Sequence, residues 1–188
     1  MQVDEIKKIG VVGAGLMGHG IAMELAETAL HRLLRQAGTL SELEALECIS
    51  HIAQALAHIH SQGAIHRDVK PGNILKCGEH WKLGDLGLTG AAQALLGSGG
   101  VHGTPSYMSP EQLAGKKIDG RSDLFSLGVM LFQMASGKLP FEGDSMAQLM
   151  FKIANEAHPN IREINPQVPE CLAVIIDRAL AKDNTQRY

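Results

Sequence analysis

The alternation of apolar and polar positions divides the chain into a short strand-bearing start and a long helical remainder. Ile6-Lys7-Lys8-Ile9-Gly10-Val11-Val12 is rich in β-branched residues and predicts a strand. A turn spaced by Gly13, Gly15 and Gly18 follows, and residues 21–26 have helical composition. Residues 30–40 read as a helix stopped at Gly38. Ser41-Glu42-Leu43-Glu44 forms a capping box, in which serine hydroxyl and glutamate satisfy each other's orphan amides. Leu43, Leu46, Ile49, Ile52, Leu56 and Ile59 then recur at helical spacing, so one amphipathic helix is predicted to about Gln62, with Gly63 beyond its end. A polar loop and two short strand-like runs come next, the second carrying Trp81-Lys82-Leu83. The helix opening at Asp123 is apolar nearly all round (Val129, Met130, Leu131, Phe132, Met134) and is predicted to be a core helix ended by Gly137. Residues 145–153 and 168–180 predict two further helices. Met134, Met146 and Met150 read as core filler.

Composition narrows the class. A hydrophobic content of 45% is enough for a buried core, and a net charge of −3 without a basic run argues against a nucleic-acid face. Cys48, Cys77 and Cys171 are scattered and odd in number, which fits neither a disulfide framework nor a paired-cysteine metal site. A reducing, cytoplasmic setting is expected. No apolar run reaches the ~18 residues of a membrane span, and the start lacks a signal-peptide pattern. His51, His58 and His60 lie on the amphipathic helix without the spacing of a metal site, and a packed or solvated role is expected for them.

The chemistry concentrates in His66-Arg67-Asp68-Val69-Lys70-Pro71-Gly72-Asn73, followed twelve residues after Asn73 by Asp85-Leu86-Gly87. An acid, a lysine, an amide and a second acid on loops suit phosphoryl transfer: a base for a hydroxyl, a cation for a phosphate and oxygen ligands for magnesium. The first motif resembles the catalytic loop, and the second the magnesium loop, of protein kinases. Gly103-Thr104-Pro105-Ser106-Tyr107-Met108-Ser109-Pro110-Glu111 is similar to the stretch that closes the activation segment of Ser/Thr kinases. The resemblance implies that Asp68 accepts the substrate proton, Lys70 steadies the phosphate and Thr104 shapes the hydroxyl site. It further implies that Asn73 and Asp85 hold magnesium. His66, Arg67 and Asp123 support the loop, Asp123 from below, and Glu111 pairs underground with Arg187. Lys at position 70 is the Ser/Thr-kinase form. Thr89 and Ser98, the latter in Gly97-Ser98-Gly99-Gly100, are the activation-loop phosphorylation candidates, with Arg67 as partner. ATP, magnesium and a protein or peptide substrate are implied.

The start carries a different resemblance. Ile9-Gly10-Val11-Val12-Gly13-Ala14-Gly15-Leu16-Met17-Gly18-His19-Gly20-Ile21-Ala22 resembles the NAD-binding opening of 3-hydroxyacyl-CoA dehydrogenases. A ribose-binding acid on a second strand does not follow, so NAD is not expected to bind. No lysine lies between Lys8 and Lys70, which also sets the segment apart from a kinase phosphate loop and its strand lysine. The expectation is a mainly α (α+β) chain in two parts. Residues 1–27 form a Rossmann-like strand–turn–helix fragment, and residues 28–188 a kinase-like helical C-lobe with short β-hairpin pieces. The kinase N-lobe is absent, and the chain stops where a last helix would begin. A two-family join implies a chimeric frame. Function is then a Ser/Thr-kinase-derived lobe of little or no activity. The alternatives are a non-catalytic interaction module using residues 103–150 and an oxidoreductase fragment. A cleft left uncovered would favour self-association.

Overall fold

In the computed structural model, residues 28–84 and 105–188 are described. The expectations for Gly13, Gly15 and Gly18, for the residue 1–27 unit, and for Asp85, Thr89, Ser98 and Thr104 lie outside the described residues.

β1 (Thr28–Ala29) opens the described chain and runs straight into α1 (Leu30–Ala37), so the helix begins one residue later than Ala29, which serves as its cap. β1 is the edge of a three-stranded antiparallel sheet completed by β2 (Ile74–Cys77) and β3 (His80–Leu83). Thr28 faces Lys76, and Cys77 faces His80 across a two-residue turn in which Gly78 takes a φ of 59°. The register places Ile74 opposite Leu83, both buried, against α2 (Glu42–Ser61). The predicted capping box of α2 forms, with Ser41 accepting from the Glu44 N–H and Glu44 reaching back.

The buried face of α2 corrects the sequence pattern. It runs through Ala45, Cys48, Ile52, Ala55, Leu56 and Ile59, whereas Leu43 and Leu46 are 67% and 41% exposed. At about 100° per residue, Leu43 lies about 180° round the helix from Ile52, and Ala45 only about 20° away. Small residues therefore hold the stripe where leucines were expected.

α3 (Pro110–Leu113) is a single turn capped by Ser109. α4 (Gly120–Ser136) is the core helix, with Phe125, Val129, Met130, Phe132 and Met134 fully buried on several sides. It ends, as expected, at Gly137. α5 (Met146–Asn155) packs against α3, while α6 (Ile161–Ile164) and α7 (Glu170–Ala179) pack against α4. The sequence pattern did not show α3 or α6, each too short to display a period. Met134 is buried filler, but Met146 is 50% exposed and takes no part in the core. α4 and α7 approach closely: a Cβ added at Gly128 would stand 2.7 Å from Ala179 Cβ. No helix among the described residues is long and apolar enough to cross a membrane.

Candidate active site

The loop after α2 is anchored from α4. Asp123, buried in the first turn of that helix, accepts the His66 N–H at 2.9 Å on Oδ2 and the Arg67 N–H at 2.8 Å on Oδ1. His60, at the end of α2, adds its Nε2 to Asp123 Oδ2 at 2.7 Å. Two backbone amides on one carboxylate are charge-assisted bonds, stronger than neutral pairs. They hold Arg67 at a φ of 71°, which costs an L-residue roughly 1–2 kcal/mol. Gln112 of α3 grips the same residue from outside, donating its amide to the Arg67 carbonyl at 3.0 Å.

His66 locks the loop internally. Its Nδ1 accepts the Asp68 N–H at 3.3 Å, and Nε2 faces the Gly84 carbonyl at 3.0 Å. A carbonyl only accepts and an amide N–H only donates, so in these two bonds Nδ1 accepts and Nε2 donates.

The reacting end follows. Lys70 Nζ stands 2.7 Å from Asp68 Oδ2, and Asn73 Nδ2 donates to the same oxygen at 3.0 Å and to the Asp68 carbonyl at 2.8 Å. A 3₁₀ turn (Pro71–Asn73) places Asn73 there, closed by the Asn73 N–H on the Lys70 carbonyl. Asp68 keeps Oδ1 clear of protein hydrogen bonds among the described residues, and its side chain is 40% exposed. One oxygen is therefore positioned and the other is left without a hydrogen bond among the described residues, an arrangement able to take a proton. The Lys70–Asp68 contact is too open to count for much in stability.

The donor set also fits a magnesium ion. Both hydrogens of Asn73 Nδ2 are turned onto Asp68, which leaves the Asn73 carbonyl oxygen as a hard ligand. Gly84, the residue before Asp85, donates its N–H to the Asn73 backbone carbonyl at 2.8 Å. Among the described residues no three His, Cys, Asp or Glu side chains form a metal cluster.

Beneath the loop, Arg187 and Glu111 form the expected buried pair, at 2.7 and 3.0 Å. The remaining Arg187 donors go to the carbonyls of Ala181, Arg121 and Lys182, so all five guanidinium N–H groups are satisfied. Ser122 Oγ donates to Glu111 at 2.6 Å. Burial by itself would raise the Glu111 carboxyl, but the hydrogen bonds from Arg187 and Ser122 outweigh it and hold the group below its ordinary range. Ser126 ties the Tyr107 carbonyl at 2.7 Å, and the Tyr107 hydroxyl donates to Gln133 at 2.7 Å.

Sequence reasoning thus located Asp68, Lys70, Asn73, His66, Arg67, Asp123, Glu111 and Arg187, and the structure brings these into one connected region. It missed His60, Gln112, Ser122, Ser126 and Gln133. Two of these carried a signal: Ser122 and Ser126 are polar residues at i and i+4 on a largely apolar helix, and such a buried pair needs a partner.

The helical body thus hangs the Asp68–Lys70–Asn73 loop from a buried helix. The protein kinase domain model matches residues 17–188, and the chain belongs to that family. The chain is similar to bacterial Ser/Thr kinases. It is 36% identical over 172 residues to a probable serine/threonine-protein kinase PknB of Lactococcus lactis, covering 89% of this chain and 27% of that protein. It is 35% identical over 174 residues to serine/threonine-protein kinase PrkC of Bacillus subtilis, covering 89% and 26%. To the DNA damage-responsive serine/threonine-protein kinase RqkA of Deinococcus radiodurans it is 40% identical over 139 residues, covering 72% and 21%. The chain therefore spans about a quarter of the length of these relatives.

Proposed function

We propose that this chain is the catalytic lobe of a Ser/Thr protein kinase, built to pass the γ-phosphoryl of ATP to a protein hydroxyl. The observation that carries the reading is the Asp68 carboxylate, held by Lys70 and Asn73 on a loop whose amides are tied to Asp123. In this reading Oδ1 of Asp68 takes the substrate hydroxyl proton as the new O–P bond forms and the bond to the ADP oxygen breaks. Lys70 meets the charge of the transferring group, and Thr104 shapes the hydroxyl site. Asn73 and Asp85 would hold magnesium, which supplies charge neutralisation on the phosphates when bound.

By themselves these 188 residues are proposed to transfer phosphate poorly. No lysine occurs between Lys8 and Lys70, and the glycine turn continues into helical sequence instead of a strand bearing Val-Ala-Ile-Lys. Losing one preorganised charge contact costs about 10²–10³ in rate, and several are lacking within this sequence. Residues 1–27 are proposed to carry a Rossmann-like piece joined to the kinase lobe by about residue 28, of which residues 1–16 precede the protein kinase match. Sequencing coding DNA across residues 20–35 in independent isolates checks the join, and one continuous frame in all of them would overturn it as an artefact of assembly.

Single-turnover assays with labelled ATP, magnesium and a generic Ser/Thr peptide test the activity. Slow transfer that disappears in Asp68→Asn is expected. Transfer at about 1–100 s⁻¹, the range of complete kinases, would overturn the weak-activity reading. Transfer untouched by Asp68→Asn would overturn the role of Asp68.

A further inference from the structure

One face of the catalytic loop borders a cleft of about 350 Å³. Among the described residues its polar lining comes from His31 and Arg35 on α1, Lys70 on the loop, Tyr107, and Gln133 on α4. No carboxylate is among these lining residues. The hydrogen-bond inventory of the wall is one-sided. Gln133 Oε1 is taken by the Tyr107 hydroxyl, which leaves the Gln133 NH₂ to donate. Burial pushes Tyr107 up to about 12, so that hydroxyl keeps its proton and its bond. Lys70 uses one N–H on Asp68 and has two more. Arg35 is exposed and has no acidic partner among the described residues. His31 Nδ1 is buried without any hydrogen bond, the one such side-chain atom among the described residues. Spare donors therefore face a space with few spare acceptors.

Charge points the same way. α1 carries His31, Arg32 and Arg35 with no acid, and His31 and Arg35 line the cleft. The C-terminal ends of α1 and α4, at Gly38 and Gly137, oppose this with about half a negative charge each. Both ends are partly satisfied, by Gly38 N–H on Leu34 and Gly137 N–H on Gln133. Two full cations line the cleft, Arg35 without an acidic partner among the described residues and Lys70 with two N–H groups to spare, and they outweigh two capped dipole ends.

We propose that this cleft receives a carboxylate side chain of the peptide substrate, Asp or Glu, and that Arg35 and Gln133 set the preference. The inference rests on the reading of this lobe as one that docks a peptide hydroxyl at Asp68. Since Lys70 belongs both to the cleft wall and to the Asp68 site, the acidic residue lies within about three positions of the acceptor, at ~3.3 Å per extended residue.

The test is binding, so it does not depend on phosphate transfer. Fluorescein-labelled peptides with a central Thr carry one Glu, Ala or Arg walked from three residues before it to three after. Anisotropy is read with the wild-type chain, Arg35→Glu and Gln133→Glu. The Glu peptide is expected to bind about fivefold tighter than its Arg counterpart, at one or two adjacent positions on one side of the Thr only. Both variants, which place a carboxylate in the wall, are expected to reverse the order at those positions. Arg35 is exposed, so Arg35→Glu leaves the fold intact. Peptides that bind without charge preference, with the Arg form favoured, or with Glu favoured equally at every position overturn the acidic subsite and leave the kinase reading standing. Failure of every peptide to bind at millimolar concentration overturns both.

Discussion

Asp123 gathers two loop amides and His60 onto one buried carboxylate, so its loss strands several donors at once. Asp123→Ala should lower stability by about 3 kcal/mol in urea unfolding, because each unsatisfied buried donor costs about 1–3 kcal/mol. Glu111 gives a pH signature. Its folded value lies below the ordinary 4.5, so its contribution is complete above that value and fades as pH falls through the lowered folded one. Melting midpoints taken from pH 6 down to pH 3 should fall more steeply in wild type than in Glu111→Gln. Lys182 works in the other direction. Burial first, and Arg187 second, press its ammonium down to about 8 where it donates to the Ile153 carbonyl and stands 3.7 Å from the Phe141 ring. The unfolded chain holds that proton to about 10.5, so wild type should gain stability relative to Lys182→Met as pH rises from about 8 to 10.5. Equal slopes in the two proteins would refute this.

The helices show what pattern alone conveys. The long elements were legible because a period needs several turns to declare itself: α4 announced itself as core, and α2 announced its cap, length and stop. The face of α2 was misread because leucines outrank alanines in any hydrophobic pattern, while packing here needs small residues at Ala45 and Ala55. The same demand for close approach appears between α4 and α7. Gly128→Val should destabilise by about 1–3 kcal/mol or more, since the added atoms meet Ala179 and Leu180. The pair Gly128→Val with Ala179→Gly should recover part of the loss in urea unfolding; no recovery would place the strain elsewhere.

At the scale of the whole chain, the loop motif was legible because its residues are close in sequence, and Asp123, Glu111 and Arg187 were legible through the family resemblance, whereas the rest of the support was not. His60, Gln112, Ser122 and Gln133 act across separations that only the folded chain closes, up to 63 residues between His60 and Asp123. The link from Glu111 to Arg187, 76 residues apart, was expected from the resemblance, and it ties Arg187 beneath the site. Glu111→Leu or Arg187→Met alone should cost about 3–5 kcal/mol by leaving one charge buried, whereas the double variant should lose far less. A double variant as unstable as the sum of the singles would show that the two residues do not act as a pair.

The attachment of the loop to α4 has a consequence in time. Loop amides normally exchange their hydrogens with water quickly, because small local openings expose them. The His66 and Arg67 amides are held by a carboxylate rooted in the most deeply packed helix. They should open only when α4 itself does. In deuterium their protection should therefore match the interior of that helix, not the chain around them, and Asp123→Asn should release the two together.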